Sequence, residues 1–191
     1  FRARPDAPEL DIALARTERS TGGGTLHDFT TLYDPSVTIE EDLSRRDFTW
    51  NAFAVDLKDG TVIDPHHGVE DLEAGLVRTV GTALDRFTED RTRALRGLRF
   101  AAKLGFEIHP ETWEAIRTFA PRMNETTADG EYILKRELAG REFLKSLDAD
   151  PVRTCELYDR SGMFDILMPE VTRCKFVLQR PDFHPEGDVF T

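Results

Sequence analysis

The stretch from Arg86 to Phe106, RFTEDRTRALRGLRFAAKLGF, dictates a helix more firmly than any other part of the chain. Arg93, Arg96 and Arg99 recur along it, with Leu95, Leu98, Ala102 and Leu104 interleaved. A recurrence of three to four predicts an amphipathic helix, arginines along one broad face and apolar residues on the buried side. Asp90 stands one turn before Arg93 on the arginine side. One reading is a solvated face with Asp90–Arg93 as a surface pair worth roughly a few tenths of a kcal/mol.

The other reading is chemical. Arginine presents only donors and an ionised aspartate only acceptors. Side by side they match a base edge that pairs a ring-nitrogen acceptor with an amino donor. Cytosine offers that edge at N3 and its 4-amino group, adenine at N1 and its 6-amino group. Uracil and guanine carry a ring N–H beside a carbonyl, so each would meet donor with donor. One Asp–Arg pair could therefore accept C and A and reject U and G. The remaining arginines suit a triphosphate, which favours guanidinium forks.

Around this helix the chain changes character near residue 82. Before it, the signals are mixed. ELDIALART alternates through Leu10, Ile12 and Leu14, which predicts a half-buried strand with Asp11 on its other face. Gly22, Gly23 and Gly24 predict a mobile loop. Thr38 and Glu41 form a capping-box pattern that starts a short helix. Phe48, Ala52 and Val55 stand at helical spacing, Asp59-Gly60 predicts a turn before a short strand, and GVEDLEAG a short helix closed by Gly75, with LVRTV a strand. After residue 82 helices are expected at about 88–104, 110–121, 130–146 and 151–162. The fold class is therefore α+β, a mixed part followed by an all-helical one.

Composition narrows the setting. Hydrophobic residues make 39% and charged residues 32% of 191, which describes a globular chain, and no apolar run approaches the length of a spanning helix, so no membrane role is expected. The net charge of −11 argues against a broad nucleic-acid coat but leaves room for a local basic groove. Cys155 and Cys174 are too few for a disulfide framework or a zinc site, which points to a reducing cytoplasm. The His66-His67 pair has no carboxylate or cysteine cluster beside it, and adjacent histidines in a loop point apart, so it is expected to bind no metal. The chain lacks an initiator methionine and reads as one entered partway through a domain.

Two further features could carry chemistry. RRDFTWNA, Arg45 to Ala52, opens a predicted helix with two arginines and an aspartate. Asp47 is either an N-terminal cap or a contact to a ribose hydroxyl, and Arg46 either exposed or bound to phosphate. Asp11, mid-strand, is either on a solvent face or a metal ligand, since Mg²⁺ takes oxygen ligands.

These separate stretches converge. LDIALARTE, TIEEDLSRRDFTWNA, VIDPHHGVEDLEAGLVRTVG and RFTEDRTRALRGLRFAAKLGFEIHPET, in this order across roughly residues 9–165, resemble the class II tRNA nucleotidyltransferases (CCA-adding enzymes) and the related bacterial poly(A) polymerases. The resemblance implies a palm-like nucleotidyltransferase head over residues 1–82, a helical neck over 83–165 and the start of a helical body or HD-like segment over 166–191. It implies Mg²⁺-dependent transfer of C and A from CTP and ATP to a tRNA 3′ end. Poly(A) addition, CC-only or A-only addition, and an inactive nucleotide- or RNA-binding relative stand as alternatives. Base selection then falls on Asp90 and Arg93, nucleotide contacts on Arg96 and Arg99, sugar and phosphate contacts on Arg46 and Asp47, and a catalytic, metal-binding carboxylate on Asp11. The loop at 19–27 matches one that helps switch from C to A, and His184 and Asp188 match the opening of an HD-type segment.

The chain departs from the family pattern in two places. The family's glycine-rich loop and its strand with two metal-binding aspartates are not in this sequence; the sole Asp-x-Asp, Asp148-Ala149-Asp150, is expected to cap a helix. As it stands the chain is expected to bind nucleotide poorly and catalyse nothing. Trp50 replaces a smaller aliphatic residue, which predicts a packing change.

Overall fold

The computed structural model describes residues 12–21, 29–180, 182, 183, 185 and 187–190. Strand β1 (Arg16–Ser20) pairs antiparallel with β2 (Phe29–Tyr33), Arg16 opposite Tyr33. Of the strand expected around Leu10–Leu14, Leu10 lies outside the described residues, residues 12–15 are not in a sheet, and Ile12 and Leu14 are exposed. Alternation marks a face, but a strand also needs a hydrogen-bonding neighbour, and β2 reaches only as far as Arg16. Asp11 lies outside the described residues, as do residues 22–28 of the expected loop; Arg19 and Ser20 belong to β1.

Thr38 starts α1 (Ile39–Ser44) with the expected reciprocal cap: the Glu41 N–H donates to Thr38 Oγ1 at 3.2 Å and the Thr38 N–H to Glu41 Oε2 at 2.8 Å. The helix expected over Phe48–Val55 is one 3₁₀ turn, Thr49–Asn51, followed by β3 (Ala54–Val55), which pairs with β4 (Val62–Ile63) across the turn at Asp59-Gly60. Bonds to another segment outcompete a helical ladder here. The Thr49 N–H donates to the Arg78 carbonyl at 2.9 Å, the Val80 N–H to the Asp47 carbonyl at 3.1 Å, and Thr49 Oγ1 to Asp71 at 2.6 Å. Thr, Trp and Phe are also weak helix formers.

Asp64 caps α2 (Gly68–Glu73), accepting from the Gly68 and Val69 N–H groups at 2.7 and 2.9 Å. Gly68 must be glycine, because a Cβ there would stand 2.0 Å from the Thr49 carbonyl oxygen. Gly75, in the left-handed region at φ +64°, ends the helix as expected, and β5 (Leu76–Val77) follows.

The helix expected over 88–104 is two helices, α3 (Ala83–Glu89) and α4 (Thr92–Leu104), broken at Asp90, which is extended at φ −148°, ψ 107°. Asp90 accepts from the Thr92 N–H and hydroxyl at 2.9 and 2.7 Å, so its carboxylate serves the start of α4 instead of continuing α3. After α4, β6 (Glu107–Ile108) pairs parallel with β5. Helix α5 (Pro110–Phe119) runs into a 3₁₀ turn at Ala120–Asn124. Helix α6 (Arg136–Ala149) begins later than expected, since residues 125–133 form a bent hairpin with the Thr127 N–H on the Glu131 carbonyl and Gly130 at φ +82°. Asp150 caps α7 (Pro151–Arg160) through the Arg153 N–H at 2.9 Å, the capping role expected of it. The short α8 (Met163–Leu167) and α9 (Pro169–Arg173) fall below the length at which periodicity is readable.

Helix α4 lies at the centre, packed on α6 and α7 and against β5 and β6. Leu95, Leu98 and Ala102 are buried as expected; Leu104, at the end of the helix, is not. Phe48 and Val77 lie in the same apolar cluster as Phe87, Leu98, Ile116, Phe119 and Tyr158, so the mixed part and the helices share one core. Among the described residues no helix is long and apolar enough to cross a membrane.

Candidate functional site

The arginines of α4 are not a solvated face. Arg93 and Arg99 are buried and the Arg96 side chain is about one-third exposed. Each is bound to a carboxylate: Arg93 to Glu89 at 2.7 Å, Arg96 to Asp47 at 2.5 Å, Arg99 to Glu142 at 2.6 Å. The reading of Asp90–Arg93 as a weak surface pair is likewise overturned, because both residues are buried.

Asp47 joins the two motifs. Its Oδ2 accepts from Arg96 Nε at 2.8 Å and Nη2 at 2.5 Å, while Oδ1 accepts from the Phe48 N–H at 3.0 Å and Asn51 Nδ2 at 3.1 Å. Burial pushes its carboxyl up; the Arg96 charge, with the hydrogen bonds from Asn51, Arg96 and Phe48, outweighs that and holds it below the usual carboxylate range. Asp90 behaves oppositely. Burial raises its carboxyl above the ordinary value, against the Thr92 hydrogen bonds and the charges of Arg93 and Arg96. Arg93 is oriented from two segments: by Glu89 and the Arg86 carbonyl of α3, the latter at 3.4 Å, and by the Arg45 carbonyl at 3.1 Å.

Arg46 is held loosely. Its nearest polar neighbours are Asp42 at 3.4 Å and the Asn51 carbonyl at 3.5 Å, and its buried Nε has no partner. Arg45 is instead locked to Asp42 at 2.8 Å and Glu18 at 2.9 Å. Phe100 carries the Arg99 guanidinium 4.0 Å and the Arg96 guanidinium 5.3 Å from its ring centre. Trp50 meets the Phe100 ring edge-on at 4.8 Å and lies parallel to Phe48 at 6.1 Å, so its bulk is taken up by packing under the arginines.

This constellation, an Asp47–Arg96 tie with Asp90 and Arg93 buried at a helix break, is found on a chain whose sequence and fold have clear relatives. Residues 2–78 match the family model described as the poly A polymerase head domain. A multifunctional CCA protein from Neisseria gonorrhoeae is 42% identical over 179 residues, which cover 93% of this chain and 41% of that protein. A Bacillus stearothermophilus CCA-adding enzyme solved in complex with CTP superposes with a TM-score of 0.60 at 36% identity, over 73% of this chain and 32% of that one. The chain belongs to the class II tRNA nucleotidyltransferase and poly(A) polymerase family. A CCA-adding enzyme in its apo form II superposes with a TM-score of 0.69 at 28% identity, over 84% of this chain and 36% of that one. This family member spans about two-fifths of the length of the curated relatives it matches. Nucleotidyltransferases of this family generally use divalent metal ions.

Several expected site residues do not enter the constellation. Asp11 and His184 lie outside the described residues. Asp188 accepts from the Phe190 N–H at 2.8 Å near the end of the chain. His66 Nε2 is 3.1 Å from Ser44 Oγ, whereas His67 is exposed in a left-handed conformation beside Glu70. Cys155 and Cys174 are free thiols, and burial pushes the Cys155 thiol up. Two carboxylate partners of the arginines, Glu89 and Glu142, and the partner of Asp90, Thr92, were missed by sequence reasoning. Glu89 carries a usable signal, four residues before Arg93. Thr92 carries the weaker one of a hydroxyl two residues after an aspartate. Glu142, 43 residues from Arg99, carries none.

Proposed function

We propose that this chain carries the nucleotide-selecting part of a template-independent RNA nucleotidyltransferase that adds C and A, as a CCA end, to tRNA 3′ ends from CTP and ATP. The observation that supports it best is Asp90 and Arg93 buried together at the α3–α4 break, beside the Asp47–Arg96 tie. In this reading the Asp90 carboxylate accepts from the exocyclic amino group of C or A, and Arg93 donates to the neighbouring ring nitrogen. Glu89 and the Arg45 carbonyl hold the guanidinium in the plane that contact needs. Arg96 and Arg99 supply fixed positive charge toward the triphosphate, and the loosely held Arg46 turns to a phosphate. Asp47, whose acceptor positions are filled by Arg96, Asn51 and the Phe48 N–H, exchanges one of these bonds for the ribose hydroxyl.

Residues 1–82 form the head in this reading, 83–165 the neck, and 166–191 the start of a body or HD-like segment. The segment at 19–27 assists the switch from C to A. The thiols of Cys155 and Cys174 suit the reducing cytoplasm. The metal is Mg²⁺, with Asp11 among its ligands, and it would polarise phosphoryl oxygens and activate the RNA hydroxyl. Among the described residues no group of three or more His, Cys, Asp or Glu is placed to hold a metal.

The test offers the full-length protein a tRNA ending before CCA, a tRNA ending after CC, and an unrelated RNA, each with one labelled nucleotide at a time. Addition of CCA to the first and A to the second is expected. Long A tails on any RNA identify a poly(A) polymerase, addition of only CC or only A a partial enzyme, and no product from any combination an inactive relative.

A further inference from the structure

The two oxygens of Asp90 have different surroundings. Oδ1 accepts from both the N–H and the hydroxyl of Thr92, at 2.9 and 2.7 Å. Oδ2 accepts no hydrogen bond among the described residues. Asp90 and Thr92 are both buried, at 2% and 4% exposure, so water does not stand in for either donor. The start of α4 is itself anchored. The buried Arg91 guanidinium binds the Arg122 carbonyl and, at 2.6 Å, Glu125 Oε2, both from the turn after α5.

We propose that Thr92 is a positioning residue for base selection: by holding Asp90 through Oδ1 alone, it presents Oδ2 to the amino group of the incoming C or A. The proposal rests on the reading of Asp90 as the base-selecting carboxylate. The terminal torsion of an aspartate is soft and roughly two-fold, so one donor leaves the carboxylate plane poorly determined. Two donors from one β-branched residue, whose own first torsion is stiff, fix it. The same bonds favour the ionised, acceptor-only form of a carboxylate that burial disfavours. A protonated Asp90 would carry an O–H able to meet the carbonyl of U or G, and the discrimination would blur. Thr92 thus serves base choice twice, by geometry and by keeping Oδ2 an acceptor.

The experiment compares Thr92→Val, which keeps shape and N–H but loses the hydroxyl, with Thr92→Ser, which keeps the hydroxyl, and with Asp90→Ala, all in the full-length protein. The readout is the ratio of kcat/KM for CTP over UTP and for ATP over GTP, with thermal melting alongside. Thr92→Val should lower both ratios about tenfold, the size of one hydrogen bond to a charged group. Thr92→Ser should restore them to within about twofold of the parent protein. Thr92→Ala, also without the hydroxyl, gives the same reading if the valine variant does not fold. Hydroxyl-free variants that keep full discrimination while Asp90→Ala loses it overturn the role of Thr92 and leave Asp90 standing. A serine variant as permissive as the hydroxyl-free ones also overturns it, since packing and not the hydroxyl then matters. Full discrimination in Asp90→Ala removes the base-reading role on which the proposal depends.

Discussion

Asp47 and Arg96, 49 residues apart in sequence, are joined by two hydrogen bonds to a single carboxylate oxygen, at 2.8 and 2.5 Å. That tie fastens the 3₁₀ turn of the RRDFTWNA segment to the central helix. It also makes a stability prediction with a defined pH sign. The folded-state pKa of Asp47 is depressed, so its contribution is present above the unfolded value of about 3.9 and is lost as pH falls through the lower folded value. Asp47→Asn should cost about 2 kcal/mol at neutral pH, less than a fully buried pair because Arg96 is partly exposed. The gap between the two proteins should close as pH drops below about 4. Urea unfolding at pH 7 and at acid pH checks both; a gap that stays constant with pH would show that the charge is not what stabilises.

The Arg99–Glu142 pair is more deeply buried, and each partner comes from a different helix. Glu142→Ala leaves a buried guanidinium without its counter-charge and should cost about 3–5 kcal/mol. The same change should raise KM for both CTP and ATP, because Arg99 would be free to swing. Chemical denaturation and steady-state kinetics measure these separately, and a loss of under about 1 kcal/mol would mean that water reaches Arg99.

Two glycines in helices give opposite expectations. A Cβ on Gly68 would lie 2.0 Å from a backbone oxygen, whereas a Cβ on Gly140 of α6 would meet nothing within 4 Å. Gly68→Ala should therefore cost more than about 3 kcal/mol or prevent folding. Gly140→Ala should stabilise by about 0.5–1 kcal/mol, since alanine gives up less backbone freedom. Melting temperatures decide it, and equal shifts for the two would contradict the placement of α2 against the Thr49 turn.

Arg93 is one side chain proposed to serve both nucleotides. Arg93→Ala should weaken CTP and ATP use in parallel, by about tenfold or more in kcat/KM. Separate titrations of each nucleotide on a tRNA that accepts it give the comparison. An effect confined to one nucleotide would mean that C and A are read by different groups.

Local signals in the sequence were good guides where local physics rules. Thr38 with Glu41, Gly75, Asp150 and the Asp59-Gly60 turn act through neighbours a few residues away, and each is where its pattern placed it. The Phe48–Val55 spacing misled because Thr49 and Asp47 bond to Arg78 and Val80, partners no short window contains. The break at Asp90 was hidden because helical periodicity runs on through it, while the side-chain bonds to Thr92 that cause it leave no periodic trace. The arginines were recognisable as a set, but not their burial. That depends on Asp47 and Glu142 arriving from remote segments.

The most direct measurement is nucleotide choice by Asp90→Ala in the full-length protein on a tRNA lacking CCA. With the acceptor gone, nothing at this position repels the carbonyl of U or G. UTP and GTP incorporation should rise relative to CTP and ATP by about tenfold or more, a larger change than the fall in turnover with the correct nucleotides. If UTP incorporation stays negligible while CTP and ATP use simply declines, Asp90 supports the helix break and does not read the base.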